Sequence, residues 1–130
     1  MNKYCLDNSI SFGCCTTFDF SGEKYSIHYI NLLNTHDAIN KRVDFNKIHS
    51  VFEIGGGFGV GCHILIQNHP NIKKYLYLEI PPALYVGTEY LRSLYNDSVI
   101  DYLQLKEQRQ ITFKNNDDRI YSEDKIELPD

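Results

Sequence analysis

Val51-Phe52-Glu53-Ile54-Gly55-Gly56-Gly57-Phe58-Gly59-Val60-Gly61 is the stretch on which the reading of this chain turns. A short β-favouring run enters a glycine cluster, and an apolar, helix-like run leaves it. The pattern predicts strand, tight turn and helix, the place where an α/β sheet holds a nucleotide-like ligand. Glycine suits such a turn because it accepts positive φ and has no Cβ to keep a ligand from the backbone. The helix that follows points its free N–H groups at the same space.

The cluster fits E-x-G-x-G-x-G, with Glu53, Gly55, Gly57 and Gly59. Downstream, Tyr75-Leu76-Tyr77-Leu78-Glu79-Ile80 reads as the next strand, with Glu79 at its end. In a right-handed βαβ unit the two strand ends lie side by side at the carboxyl edge of the sheet. An acid there can accept two hydrogen bonds from the vicinal hydroxyls of a ribose. The dinucleotide pattern G-x-G-x-x-G fails in both registers, because Val60 or Cys62 stands where the third glycine is needed. A phosphate-cradling Walker loop fails too, since no Gly-Lys-Ser/Thr follows.

Outward from this core, Ser50 to Ile54 reads as a central parallel strand buried on both faces. Phe58 to Asn68 is the expected helix, ended by His69-Pro70-Asn71 because the residue before proline avoids helical geometry. Pro81-Pro82 stops the second strand and can open a helix that runs to about Tyr95, where Asn96-Asp97 supplies a stop. Upstream, Tyr25 to Asn40 has helical spacing, with Ile27, Ile30, Leu33 and Ala38 on one face. Val43 to Lys47 is a connector. Residues 1 to about 22 show only short alternations, Ser9 to Gly13 and Thr16 to Phe20, with a turn signal at Ser21-Gly22. Beyond Tyr95 the strand candidates are Val99-Ile100 with Tyr102-Leu103 (or a short helix), Ile111 to Phe113 and Arg119 to Tyr121. Lys114 to Asp118 reads as a turn.

With 130 residues, 42% hydrophobic and 23% charged, the chain has the make-up of one small soluble domain. No apolar run approaches a membrane span, and the first residues lack a signal-peptide core, so the expected compartment is the cytoplasm. A net charge of -4 without a basic block argues against a nucleic-acid partner. Cys5, Cys14, Cys15 and Cys62 form no C-x-x-C pair and read as reduced thiols. His28, His36, His49, His63 and His69 show no metal spacing, and none is marked as a general base. The ten tyrosines read as amphipathic packing residues rather than as a sugar platform.

The acid two residues before the first glycine gives the motif its resemblance to class I methyltransferases that use S-adenosyl-L-methionine. Residues 51–59, with Tyr77-Leu78-Glu79-Ile80-Pro81-Pro82-Ala83-Leu84 downstream, resemble sugar O-methyltransferases of bacterial polysaccharide gene clusters. The resemblance covers about residues 25 to 105. It implies that Gly55, Gly57 and Gly59 pass the methionine end of the cofactor and that Glu79 holds the ribose. It further implies that Glu53 positions the amino-acid portion and that Phe58 borders the cofactor. Family members commonly carry Asp at the position of Glu79, and either acid binds a diol. The acceptor would be a sugar or glycan, and no metal is implied.

In that family an Asn- and Ser-rich segment follows the region where this sequence stops, and nothing here matches it. The expected fold is therefore α/β, a partial Rossmann-like parallel sheet flanked by helices and truncated after about three strands. An arm over residues 1–24 would precede a partial cofactor-binding domain over residues 25–130. Such a fragment could associate with a missing carboxyl-terminal half or form a homo-oligomer. Two rival readings stand beside this one: a non-catalytic remnant working by association, and a nicotinamide-dependent oxidoreductase.

Overall fold

A computed structural model describes residues 16–105 and 119–123. The expectations at Ser9 to Gly13, Ile111 to Phe113 and Lys114 to Asp118, and those for Cys5, Cys14 and Cys15, lie outside the described residues. The element order is β1 (Thr17–Phe20), β2 (Glu23–Ser26), α1 (Ile27–Asn40), β3 (Ser50–Ile54), α2 (Val60–Asn68), β4 (Lys74–Leu78), α3 (Ala83–Tyr95), β5 (Val99–Ile100), α4 (Tyr102–Leu105) and β6 (Arg119–Glu123). Strands β1 and β2 form an antiparallel hairpin across Ser21-Gly22. The other four strands form one parallel sheet in the order β3-β4-β6-β5. The chain is thus α/β with a parallel sheet flanked by helices, as expected. The described sheet carries four strands where the sequence marks about three, because 119–123 inserts between β4 and β5.

Two sequence expectations are corrected at α1. Residues Tyr25 and Ser26 belong to strand β2, and the helix starts at Ile27. Ser26 ends the strand as the helix cap, its hydroxyl accepting the Tyr29 N–H at 3.1 Å. The buried face is Tyr29, Leu33 and His36, while Ile27 and Ala38 are exposed. Counting only aliphatic residues finds Leu33 and the half-buried Ile30 but misses Tyr29 and His36. Tyr29 and His36 go inside because their polar tips find partners: the Tyr29 hydroxyl donates to Gln67 Oε1 at 3.4 Å, and His36 Nε2 meets His69 Nε2 at 2.9 Å.

A further correction concerns β3. Among the described residues it pairs on one side only, with β4, so it is an edge strand and not a central one. Its burial alternates, with Phe52 50% and Ile54 73% exposed while Val51 and Glu53 are half-buried. The near-continuous apolar run cannot distinguish a strand covered on both faces from one covered on a single face, since only packing partners decide that. The covered face carries Val51, Tyr75 and Tyr77 against Val60, Cys62 and Ile64 of α2 and Leu84 and Leu91 of α3. Of the tyrosines expected to pack, Tyr29, Tyr75, Tyr77 and Tyr90 are core residues, while Tyr85 is exposed.

Parallel pairing with Ile54 opposite Leu78 brings the carboxyl ends of β3 and β4 to the same level. The Gly55 N–H extends the ladder by donating to the Leu78 carbonyl at 2.9 Å. The glycine turn and Glu79 therefore leave the sheet as immediate neighbours.

Candidate functional site at the glycine loop

Three loop glycines take positive φ, at 75° for Gly55, 58° for Gly57 and 79° for Gly59, but they serve different ends. A Cβ on Gly55 or Gly57 would meet nothing, so their α-carbons face open space. Gly59 is buried and closes the turn: its N–H donates to the Gly56 carbonyl at 3.1 Å, and its own carbonyl accepts the His63 N–H. A Cβ there would sit 3.0 Å from Leu91 Cγ and 3.3 Å from the Gly87 carbonyl of α3. Gly59 is thus the packed corner of the loop, while Gly55 and Gly57 form its open side. Phe58 stands at the tip with 52% of its surface exposed.

Glu79 turns back onto this loop. Its Oε2 accepts the Gly57 N–H at 2.7 Å, and its Oε1 accepts the Ile80 N–H at 2.8 Å. Each carboxylate oxygen can accept more than one hydrogen bond, so the group keeps acceptor capacity toward the open side. Acid and loop thus share one locality, as the βα spacing predicted.

Glu53 lies on the other side of the loop, toward the core. The Tyr75 hydroxyl donates to its Oε2 at 3.0 Å. Its two oxygens fill the space that side chains would occupy at Gly56 and Gly61, each 2.7 Å from the Cβ position. Burial raises the Glu53 pKa, the Tyr75 hydrogen bond opposes that rise, and the negative charge of Glu79 adds to it. A carboxyl whose folded pKa exceeds its ordinary value near 4.5 lowers stability at neutral pH, and the penalty fades as pH falls through the folded pKa toward 4.5. Glu53→Gln is accordingly expected to be more stable than the parent at pH 7, with the difference closing by about pH 4.5. Urea unfolding at the two pH values checks this; a difference that grows toward acid would be the contrary result.

Sequence reasoning missed the residues that support the loop. Tyr77 is fully buried, and its hydroxyl donates to the Gly57 carbonyl. Its ring lies against Gly56, and its hydroxyl against Gly87 of α3, leaving no room for a Cβ at either position. The period-two placement of Tyr75 and Tyr77, on the same face as Val51 and Glu53, was the available signal. Four histidine rings meet partners outside the loop. His36 pairs with His69, His63 Nδ1 lies 2.5 Å from the Tyr90 hydroxyl, and His49 Nδ1 meets the Asn71 carbonyl. His28 is exposed on α1.

Arg92 of α3 reaches Asp101 Oδ2 at 2.5 Å and Glu89 Oε1 at 3.2 Å, while Asp101 also caps the turn at Gln104. A separate surface hollow of about 390 Å³ is lined by Arg92, Asn96, Asp97, Val99, Ile100 and Gln104, none of them in the glycine loop. Among the described residues no three His, Cys, Asp or Glu side chains come together as a metal site, and no helix is long and apolar enough to cross a membrane.

Comparison of the chain with protein-family models, with curated proteins and with solved structures finds no match.

Proposed function

We propose that the glycine loop and Glu79 bind S-adenosyl-L-methionine, and that the chain is an O-methyltransferase, or the cofactor-binding part of one, acting in the cytoplasm on a sugar hydroxyl. The observation that supports the reading is the 2.7 Å hydrogen bond from the Gly57 N–H to Glu79 Oε2, a carboxylate beside an open glycine turn. Two carboxylates, Glu53 and Glu79, flank the loop, and they favour a ligand with positive charge over one with a pyrophosphate. Glu79 also takes the Gly57 amide that a phosphate would use in a dinucleotide site.

The residues present fit the cofactor in outline. Glu79 would hold the ribose hydroxyls, Gly55 and Gly57 would let the ligand approach the backbone, and Phe58 would border it. Glu53, beneath the loop, would favour the cationic amino-acid end. When bound, the cofactor supplies an electrophilic methyl group. The work of these side chains is then to bind and orient, so that acceptor oxygen and methyl carbon meet in line. No base is assigned for the acceptor proton.

A second reading, a non-catalytic role through association with another chain or a second copy, is favoured by one observation. Strand β3 has a free edge among the described residues and exposes Phe52 and Ile54, which parallel sheets ordinarily cover. Calorimetric titration with S-adenosylhomocysteine and with NAD separates the possibilities. Binding of the first alone is expected. Binding of NAD alone would assign an oxidoreductase site, and binding of neither would leave association as the surviving reading.

A further inference from the structure

Gly57 is held at both ends of its backbone by the same strand and its extension. Glu79 takes its N–H, and the Tyr77 hydroxyl donates to its carbonyl. A trans peptide is planar, with its C=O and N–H on opposite sides. Because the Gly57 carbonyl points inward to Tyr77, the N–H of Phe58, in the same peptide, points outward to the open side. The Gly57 and Phe58 dihedrals alone would not hold this peptide, since a glycine flanked by open space has access to several backbone regions. Tyr77 is packed on both sides. Its side chain is fully buried between the loop and α3, under Gly56 and against Gly87. The absence of a Cβ at Gly87 is what lets the hydroxyl reach the loop between helix and turn.

We infer that Tyr77 is a positioning residue of the ligand site: seated in the notch that Gly87 leaves on α3, it fixes the Gly57–Phe58 peptide so that the Phe58 N–H is presented as a donor to the ligand. The inference rests on the ligand reading of the loop given above, but it adds a residue in the core to the binding machinery. It also links helix α3 to the loop, because anything that shifts Gly87 shifts the Tyr77 hydroxyl. Tyr77 touches no ligand in this scheme and acts only through the peptide it holds.

Tyr77→Phe keeps the ring and removes the hydroxyl. Tyr90→Phe is the matched control, since it removes another buried hydroxyl, the one 2.5 Å from His63, away from the loop. For each chain three quantities are measured: urea stability, the dissociation constant for S-adenosylhomocysteine, and the backbone order parameters of Gly57 and Phe58 by NMR relaxation. Both variants are expected to lose some stability. Only Tyr77→Phe is expected to weaken binding, by about tenfold, the equivalent of one hydrogen bond, and to lower the order parameters at Gly57 and Phe58. If Tyr77→Phe loses stability while affinity and loop order match those of Tyr90→Phe, the tyrosine is structural only and the inference is overturned. Should the parent chain bind no S-adenosylhomocysteine, the ligand reading falls. The hold on the peptide is then decided by the order parameters alone, lowered values supporting it and unchanged values overturning it.

Discussion

Glu79→Ala is expected to weaken binding of S-adenosylhomocysteine by tenfold or more without unfolding the chain. Two losses combine in this one substitution. The carboxylate that would accept the ribose hydroxyls disappears, and each charge-assisted hydrogen bond of that kind is worth about 1.5–3 kcal/mol. The Gly57 N–H also loses its partner, so the turn is freed on its open side. The fold should tolerate the change because Glu79 lies beyond the end of β4, half-buried, outside the core cluster. Glu79→Gln retains an acceptor for Gly57 and should fall between the parent and the alanine variant. Calorimetry on the three proteins, paired with urea melts to confirm folding, checks the order. Equal affinities across the three would remove Glu79 from the site.

Leu91→Ala is expected to produce a large loss of stability, about 2–5 kcal/mol. Leu91 is fully buried on α3 and lies where the helix meets Gly59, the packed corner of the loop. Truncation removes transfer energy and opens a cavity between helix and turn, both of which count against the folded state. A domain of this size has only about 5–15 kcal/mol of stability in total, so the variant would be partly unfolded at modest urea concentrations. Loss of this contact also undermines the start of α2, whose first turn begins at Gly59. A shift below about 1 kcal/mol would mean that the helix closes onto the loop without it.

The elements nearest the glycine cluster were the legible ones. Strand β3, helix α2, strand β4 and helix α3 each carry a local signal: a β-favouring run, a glycine turn, a His-Pro stop, a Pro-Pro start. Those signals arise from backbone restrictions of single residues and do not depend on distant packing. The meeting of Glu79 with Gly57 was legible for a related reason, since parallel pairing and the connection length fix which strand ends are neighbours.

What failed to show depended on tertiary partners. The inner face of α1 is set by Tyr29 and His36 through Gln67 and His69, residues 38 and 33 positions away that no helical period reveals. The edge position of β3 depends on which strands pair with it, not on its own composition. Insertion of 119–123 between β4 and β5 is likewise a matter of topology. Tyr77 escaped notice because an aromatic residue in a strand reads as core. Only coordinates show that its hydroxyl reaches a loop carbonyl and that Gly87 makes room for it.

The most direct test of the central claim, that the loop after β3 and the acid after β4 serve one ligand, is an NMR titration of the labelled chain with S-adenosylhomocysteine. The expected result is a set of amide shifts at Gly55, Gly57, Phe58, Glu79 and Ile80 that move together and saturate with a single dissociation constant. Shifts confined to residues lining the hollow around Arg92 and Asn96, or no shift at all at millimolar ligand, would contradict it.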